Sequence, residues 1–207
     1  MASKAWIGLV LLIGVVVLPY RCFASRSFSA GLGYVNTSSD NYGSGLTYGA
    51  SIIEGTGRIG FGISAYRFSN SIAYQTFVKT GEQTTRFDYE EDFSDFYLTI
   101  MATYNLRPGG DETHLMAGLG PQVHFLAATK HFITDRYSVT ARDFRLGMGI
   151  ALRLERRIYA FGSLAFVVTA MWSWAQAGQA FDPLYEYQTP AESFTFPTIT
   201  AGVAWPL

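Results

Sequence analysis

The run RDFRLGMGIALRLER, residues 142–156, decides how the chain folds. Its even positions are large and apolar: Phe144, Leu146, Met148, Ile150, Leu152 and Leu154. Its odd positions from Arg145 are Arg145, Gly147, Gly149, Ala151, Arg153 and Glu155. A period of two is the mark of a strand with unlike faces. Strands of soluble sheets usually run about five or six residues, and here the alternation persists for roughly twice that length. The small and charged face must therefore look either at outside water or at an enclosed lumen.

The first residues bear on that choice. Residues 1–24 carry Lys4, an apolar run over 5–19, and the small residue Ala24 ahead of Ser25. This is the pattern of a secretory signal peptide cleaved after Ala24, and it predicts export. A single-span anchor is the competing reading, but the run is short of the roughly 20 apolar residues that spanning needs. A lipid anchor on Cys22 is disfavoured by the bulky Pro19, Tyr20 and Arg21 before it. The only cysteine of the chain goes with the signal, which excludes a disulfide scaffold, a thiolate metal site and a thiol nucleophile. The remainder, 25–207, is predicted to be one domain.

Composition narrows the class further. The formal net charge of −1 gives no basic excess for nucleic acid. Charged residues make up 15% of the chain, against roughly 25% in soluble domains. Aromatic residues reach 16%, and there are 21 glycines. An exported chain of this kind, with no second long apolar run, fits an outer-membrane β-barrel.

The alternation recurs along the chain. Phe28, Ala30, Leu32 and Tyr34 share a face, as do Leu46, Tyr48, Ala50 and Ile52, and then Ile59, Phe61, Ile63 and Ala65. Further stripes run Phe96 to Leu106, Leu115 to Ala127, Leu164 to Trp174, and Ile199 to Leu207. With the opening run these make eight strands, an even number suited to a closed single-chain barrel. Connections at 54–57, 107–112 and 154–157 read as short. Those at 36–44, 69–85, 129–136 and 176–194 read as long. Membrane barrels alternate tight periplasmic turns with longer outer loops in this way. Tyr34, Phe93, Phe96, Trp172 and Trp174 are expected near the outer ends of strands, and Tyr48, Tyr104, Tyr159, Phe161 and Trp205 lower down, as an aromatic girdle would require.

The small residues choose between inside and outside. A soluble barrel fills its interior with bulky side chains. Eight stripes of Leu, Ile, Phe and Tyr would crowd one lumen and leave glycine backbone facing solvent. Turned outward, the same stripes meet lipid, and the glycines fit a narrow interior. The sequence therefore predicts an all-β, eight-stranded antiparallel transmembrane up-and-down barrel, monomeric, with Arg145 and Arg153 pointing inward.

These features resemble the small eight-stranded outer-membrane barrels of the OmpA/OmpX architecture, the OmpW family among them. The resemblance spans 25–207 and rests on pattern. The closing PTITAGVAWPL is similar to the C-terminal signal read by barrel-assembly machinery, although Pro206 and Leu207 depart from its usual ending. The OmpW resemblance implies a narrow channel or carrier for small hydrophobic molecules, with Met101, Met116, Leu126, Phe161, Val167 and Met171 as a greasy lining. The OmpA-like alternative is a lumen closed by polar contacts among Arg145, Arg153, Asp95, Asp143, Tyr66, Tyr97 and His124. A charge there must be paired or hydrated, and filling by side chains is what eight strands favour.

Catalysis is not expected. Some lipid A deacylases of similar size place His and Ser two residues apart on a strand. Here the residues two beyond His114, His124 and His131 are Met116, Leu126 and Ile133. No histidine pair has metal-ligand spacing on one strand face, and no cofactor is implied. The acidic run Asp88, Glu90, Glu91, Asp92 is expected at the surface, as a solvated strand extension beside an outer loop. Clustered carboxylates there could also chelate Ca²⁺ or Mg²⁺ or meet a basic host molecule. Phe181, Asp182, Tyr185, Glu186 and Tyr187 are expected in the last outer loop. Such loops point to a second reading, a surface interaction protein meeting host or envelope ligands without transport. The expected surroundings in either case are outer-membrane lipids.

Overall fold

A computed structural model describes residues 25–38, 43–56, 58–80, 82–106, 113–133, 137–157, 164–178 and 192–207. The expected signal segment 1–24, Tyr159, Phe161 and the loop residues Phe181, Asp182, Tyr185, Glu186 and Tyr187 lie outside them. Eight strands follow one another: β1 (Ser25–Asn36), β2 (Ser44–Thr56), β3 (Ile59–Thr80), β4 (Gln83–Asn105), β5 (Thr113–Phe132), β6 (Tyr137–Arg157), β7 (Ala165–Gly178) and β8 (Glu192–Pro206). Each pairs antiparallel with its sequence neighbours, and β1 pairs with β8 to close the ring.

The alternation dictates which way each side chain points. On β6, Arg145, Gly147, Gly149, Ala151 and Arg153 are buried, while Phe144, Leu146, Met148, Ile150, Leu152 and Leu154 are exposed. Ile150 keeps 60% of its surface and Leu32 71%, although both lie well inside a strand. The barrel thus wears its aliphatic side chains outside and holds its small and charged ones within. The two glycines of β6 have a steric reason. A Cβ on Gly149 would stand 2.5 Å from Gln122 Nε2, and one on Gly147 would overlap the Trp174 carbonyl oxygen of β7 and stand 3.1 Å from His124 Nε2. They leave room for Gln122 and for close approach of the β7 backbone.

Connection lengths differ from the sequence expectation. The 69–85 region is not a loop: β3 and β4 stay paired out to Thr80 and Gln83. Likewise β5 and β6 pair out to Phe132 and Tyr137, so 129–132 is strand. At the opposite end, Leu154, Glu155, Arg156 and Arg157 belong to β6 and not to a turn. Backbone hydrogen bonding with a neighbour on at least one side carries these residues, which polar composition alone does not prevent. Strands β3 to β6 therefore rise as a tall sheet from one end of the barrel. We call this the distal end, and the end bearing Ser25 and Pro206 the basal end.

Side-chain polarity inverts partway up that sheet. On the outward face of β4, Phe96, Leu98, Ile100, Ala102 and Tyr104 give way distally to Ser94, Asp92, Glu90 and Asp88. A transmembrane strand needs about 9–11 residues, and β4 has 23. The exchange from Phe96 to Ser94 marks where an apolar surrounding gives way to water. Phe96, Phe125 and Phe144 form a row just below it, with ring centroids 6.0 and 5.5 Å apart. Tyr104, Trp205 and Phe28 stand at the basal end, the last two in ring contact at 4.7 Å. Phe93 does not join the girdle. It lies on the inward face, 2% exposed, because its position shares the parity of Asp95 and Tyr97.

Candidate functional site: the filled lumen and the distal sheet

Side chains from all sides meet inside the barrel in stacked layers. At the basal level Arg153 reaches across from β6. Its Nη1 donates to Ser29 Oγ at 2.9 Å and to Ser51 Oγ at 2.8 Å, and its Nη2 donates to Glu155 at 3.0 Å. Ser29 and Ser51 are themselves 2.7 Å apart. A charge inside a narrow lumen requires this kind of compensation. Beside this cluster lies a cavity of about 30 Å³, lined among others by Tyr66, Met101, Met116, Met171 and Arg153. That is the size of about one water molecule.

Above it runs a column of four rings. Tyr66 stacks on Tyr97 at 5.8 Å, Tyr97 on His124 at 5.5 Å, and His124 on Phe196 at 5.5 Å. These rings come from β3, β4, β5 and β8, so the column crosses the lumen. His124 Nδ1 lies 2.7 Å from Asp95 Oδ2, with both side chains fully buried. Gln122 Nε2 donates to Thr99 at 2.9 Å and Ser173 at 3.0 Å, and touches Met171 sulfur at 3.6 Å. Sharing Phe196 with the column and extending distally from it, Val35, Phe68, Phe93, Leu126, Ala128, Ala175 and Phe196 form an apolar plug. Arg145, 4% exposed, pairs with the half-buried Asp143 at 2.8 Å.

The structure thus gathers Arg153, Tyr66, Tyr97, Met101, Met171, Asp95, His124 and Arg145 in the lumen, with Met116 and Asp143 at its less buried edges. Leu126 and Val167 are inward as well. Asp95 is engaged by a histidine of the next strand, and Glu155, not singled out from the sequence, completes the Arg153 cluster. Ser29, Ser51, Gln122, Phe68 and Phe196 were also missed. Strand parity was the available signal, since each shares a face with the glycines and serines of its strand.

Asp88, Glu90, Glu91 and Asp92 sit on the distal extension of β4 and not in a loop proper, because β4 is paired with β3 there and with β5 from Tyr89 inward. Three of them face outward. Asp88 takes a hydrogen bond from Arg86 Nε at 2.8 Å, Glu90 takes one from Ser71 at 2.6 Å, and Asp92 lies 3.1 Å from His131 Nε2. The Asp88 carboxylate raises the already high pKa of the exposed Arg86. Glu91 faces inward, 3.7 Å from Lys130. Among the described residues no group of three His, Cys, Asp or Glu side chains could hold a metal ion.

On the inward side of the distal sheet lies a second aromatic row. Tyr74, Tyr89, Phe132 and Tyr137 follow one another across β3, β4, β5 and β6 with centroids 5.2, 5.9 and 6.3 Å apart. Lys130 Nζ stands 5.3 Å from the Tyr89 ring centre, a cation–π distance. Unlike the luminal rings, this row is only partly covered, and Tyr137 keeps 59% of its surface.

An inside-out ring of eight antiparallel strands is the fold of the small outer-membrane β-barrels. The surface protein NspA of Neisseria superposes with a TM-score of 0.54 at 13% identity, covering 87% of this chain and 96% of that one. A major outer-membrane protein of Thermus thermophilus does so with a TM-score of 0.56 at 15% identity, covering 88% and 99%. No protein-family model matches the sequence, and no curated protein does.

Proposed function

We propose that this chain is an exported outer-membrane barrel that acts through its distal sheet, as a surface interaction protein, and not as an open pore. The carrying observation is the filled lumen. The Arg153 cluster, the Tyr66–Tyr97–His124–Phe196 column and the apolar plug above it occupy successive levels. A permeating molecule would have to displace all three. The tall sheet supports the same reading. It carries a polar outward face and a partly open aromatic row, the kind of rigid amphipathic surface that supports recognition. Exposed aliphatic side chains around the barrel favour an outer-membrane setting, reached through a cleaved leader.

The narrow-channel reading has one observation in its favour, the cavity beside Met101, Met116 and Met171. It would require movement of the ring column.

Planar-bilayer recording and cell binding separate the two. The folded barrel should give no sustained conductance. Replacing residues 74–89 by a two-residue turn should remove binding of expressing cells to their target surface, while heat-modifiable migration in gels persists. Steady single-channel currents from the unaltered barrel would overturn the interaction reading.

A further inference from the structure

The outward apolar band carries one feature that lipid tails do not explain. Between Ala65 and Ser69 on β3 stands Arg67, exposed, with Tyr66 and Phe68 on either side of it turned into the lumen. Its register partners are Tyr48 on β2 and Phe96 on β4. The row continues through Phe125 to Phe144. One outward position beyond Phe144 stands a second exposed arginine, Arg142. Neither guanidinium has an ion-pair or hydrogen-bond partner among the described residues. By contrast, Arg26, Arg86, Arg145 and Arg153 each meet a carboxylate.

An arginine on the lipid face costs about 2–4 kcal/mol at mid-bilayer and falls toward zero at the interface, where its long stem can snorkel to the headgroups. Arg67 stands beside the polarity exchange, and the polar pair next outward from it and Phe96 is Ser69 and Ser94, which are register partners. The nearest outward carboxylates lie farther out on β4 and are engaged, Asp92 with His131 and Glu90 with Ser71. What remains is a patch of two uncompensated guanidiniums, two serines and three phenyl rings at the headgroup level. Guanidinium is suited to phosphate oxygens, which it can hold by paired hydrogen bonds. Arg67 and Arg142 lie three strands apart and two residues offset along the strand, about 16 Å at ordinary strand spacing and rise.

We propose that this patch binds the phosphate groups of an outer-leaflet glycolipid whose headgroup carries two of them at opposite ends. Arg67 holds one phosphate with help from Ser69 and Ser94, Arg142 holds the other, and the rings of Phe96, Phe125 and Phe144 lie against the sugar and the upper acyl chains. The inference rests on the barrel lying in a membrane, but not on what the distal sheet binds.

The test uses the folded full-length barrel in phosphatidylcholine nanodiscs doped with a bisphosphorylated diglucosamine lipid or its dephosphorylated form. Native mass spectrometry reads the lipid retained. The unaltered protein should retain the bisphosphorylated lipid about tenfold better, equivalent to about 1.4 kcal/mol. The pair of changes Arg67→Gln and Arg142→Gln should erase that preference. Arg67→Lys with Arg142→Lys should keep part of it and guards against a folding defect, which heat-modifiable migration checks independently. Equal retention of both lipids by the unaltered protein, undiminished preference in the Gln pair, or displacement by free inorganic phosphate would each overturn the proposal. A barrel that stays monodisperse without detergent or lipid would instead overturn the membrane reading beneath it.

Discussion

His124 Nδ1 and Asp95 Oδ2 stand 2.7 Å apart across β5 and β4, with no solvent exposure on either side chain. The remaining oxygen of Asp95 and the remaining ring nitrogen of His124 have no hydrogen-bond partner among the described residues. The pair is therefore compensated on one side only. Removing one member of a buried hydrogen-bonded pair strands its partner, which costs about 1–3 kcal/mol and more where that partner is charged, whereas an apolar pair of the same shape is often nearly neutral. Asp95→Ala should lower the stability of the refolded barrel by that amount in urea titration. The double change Asp95→Leu with His124→Phe should recover most of it.

Arg153 offers a second measurement. Hydrogen bonds to a charged group are worth about 1.5–3 kcal/mol each, and this guanidinium donates to Ser29, Ser51 and Glu155. Arg153→Met should lower the temperature at which the folded band disappears in gels. It should leave planar bilayers silent, because the ring column and the distal plug remain.

The glycines of β6 test the packing directly. Gly149→Val pushes a branched side chain into Gln122, which is itself tied to Thr99 and Ser173. Overpacking costs about 1–3 kcal/mol. A matching loss in unfolding free energy is expected, relieved when Gln122 is cut back to Ala in the same chain.

Ile150 tests the inverted exterior. It is 60% exposed, so in a water-soluble barrel Ile150→Arg would be close to neutral. In a bilayer the same change should destabilise by about 2–4 kcal/mol. Equal stability of the two proteins in liposomes would contradict lipid contact at β6.

Much of the fold was legible because lipid and lumen impose opposite demands on neighbouring residues. Phe144 to Leu154 show this contrast without interruption, and parity alone puts Arg145 and Arg153 inside. The distal sheet was harder to read. There Tyr89, Glu91 and Phe93 face inward, while Asp88, Glu90 and Asp92 face outward. The period of two persists, but the sign of the contrast has flipped, so a search for outward apolar stripes sees only an acidic run. The luminal partners were out of reach for another reason. Arg153 and Ser29 are 124 residues apart, and a single sequence does not say which inward residues share a level.

The reach of Arg153 to β1 and β2 also bears on assembly. Its two serines belong to the opening hairpin, whereas the guanidinium arrives with the sixth strand. On a flat, half-made sheet those groups would be several strand widths apart, and only curling brings them together. The arginine thus acts as a clasp that fastens once the cylinder has rounded, linking early-made and late-made parts of the chain.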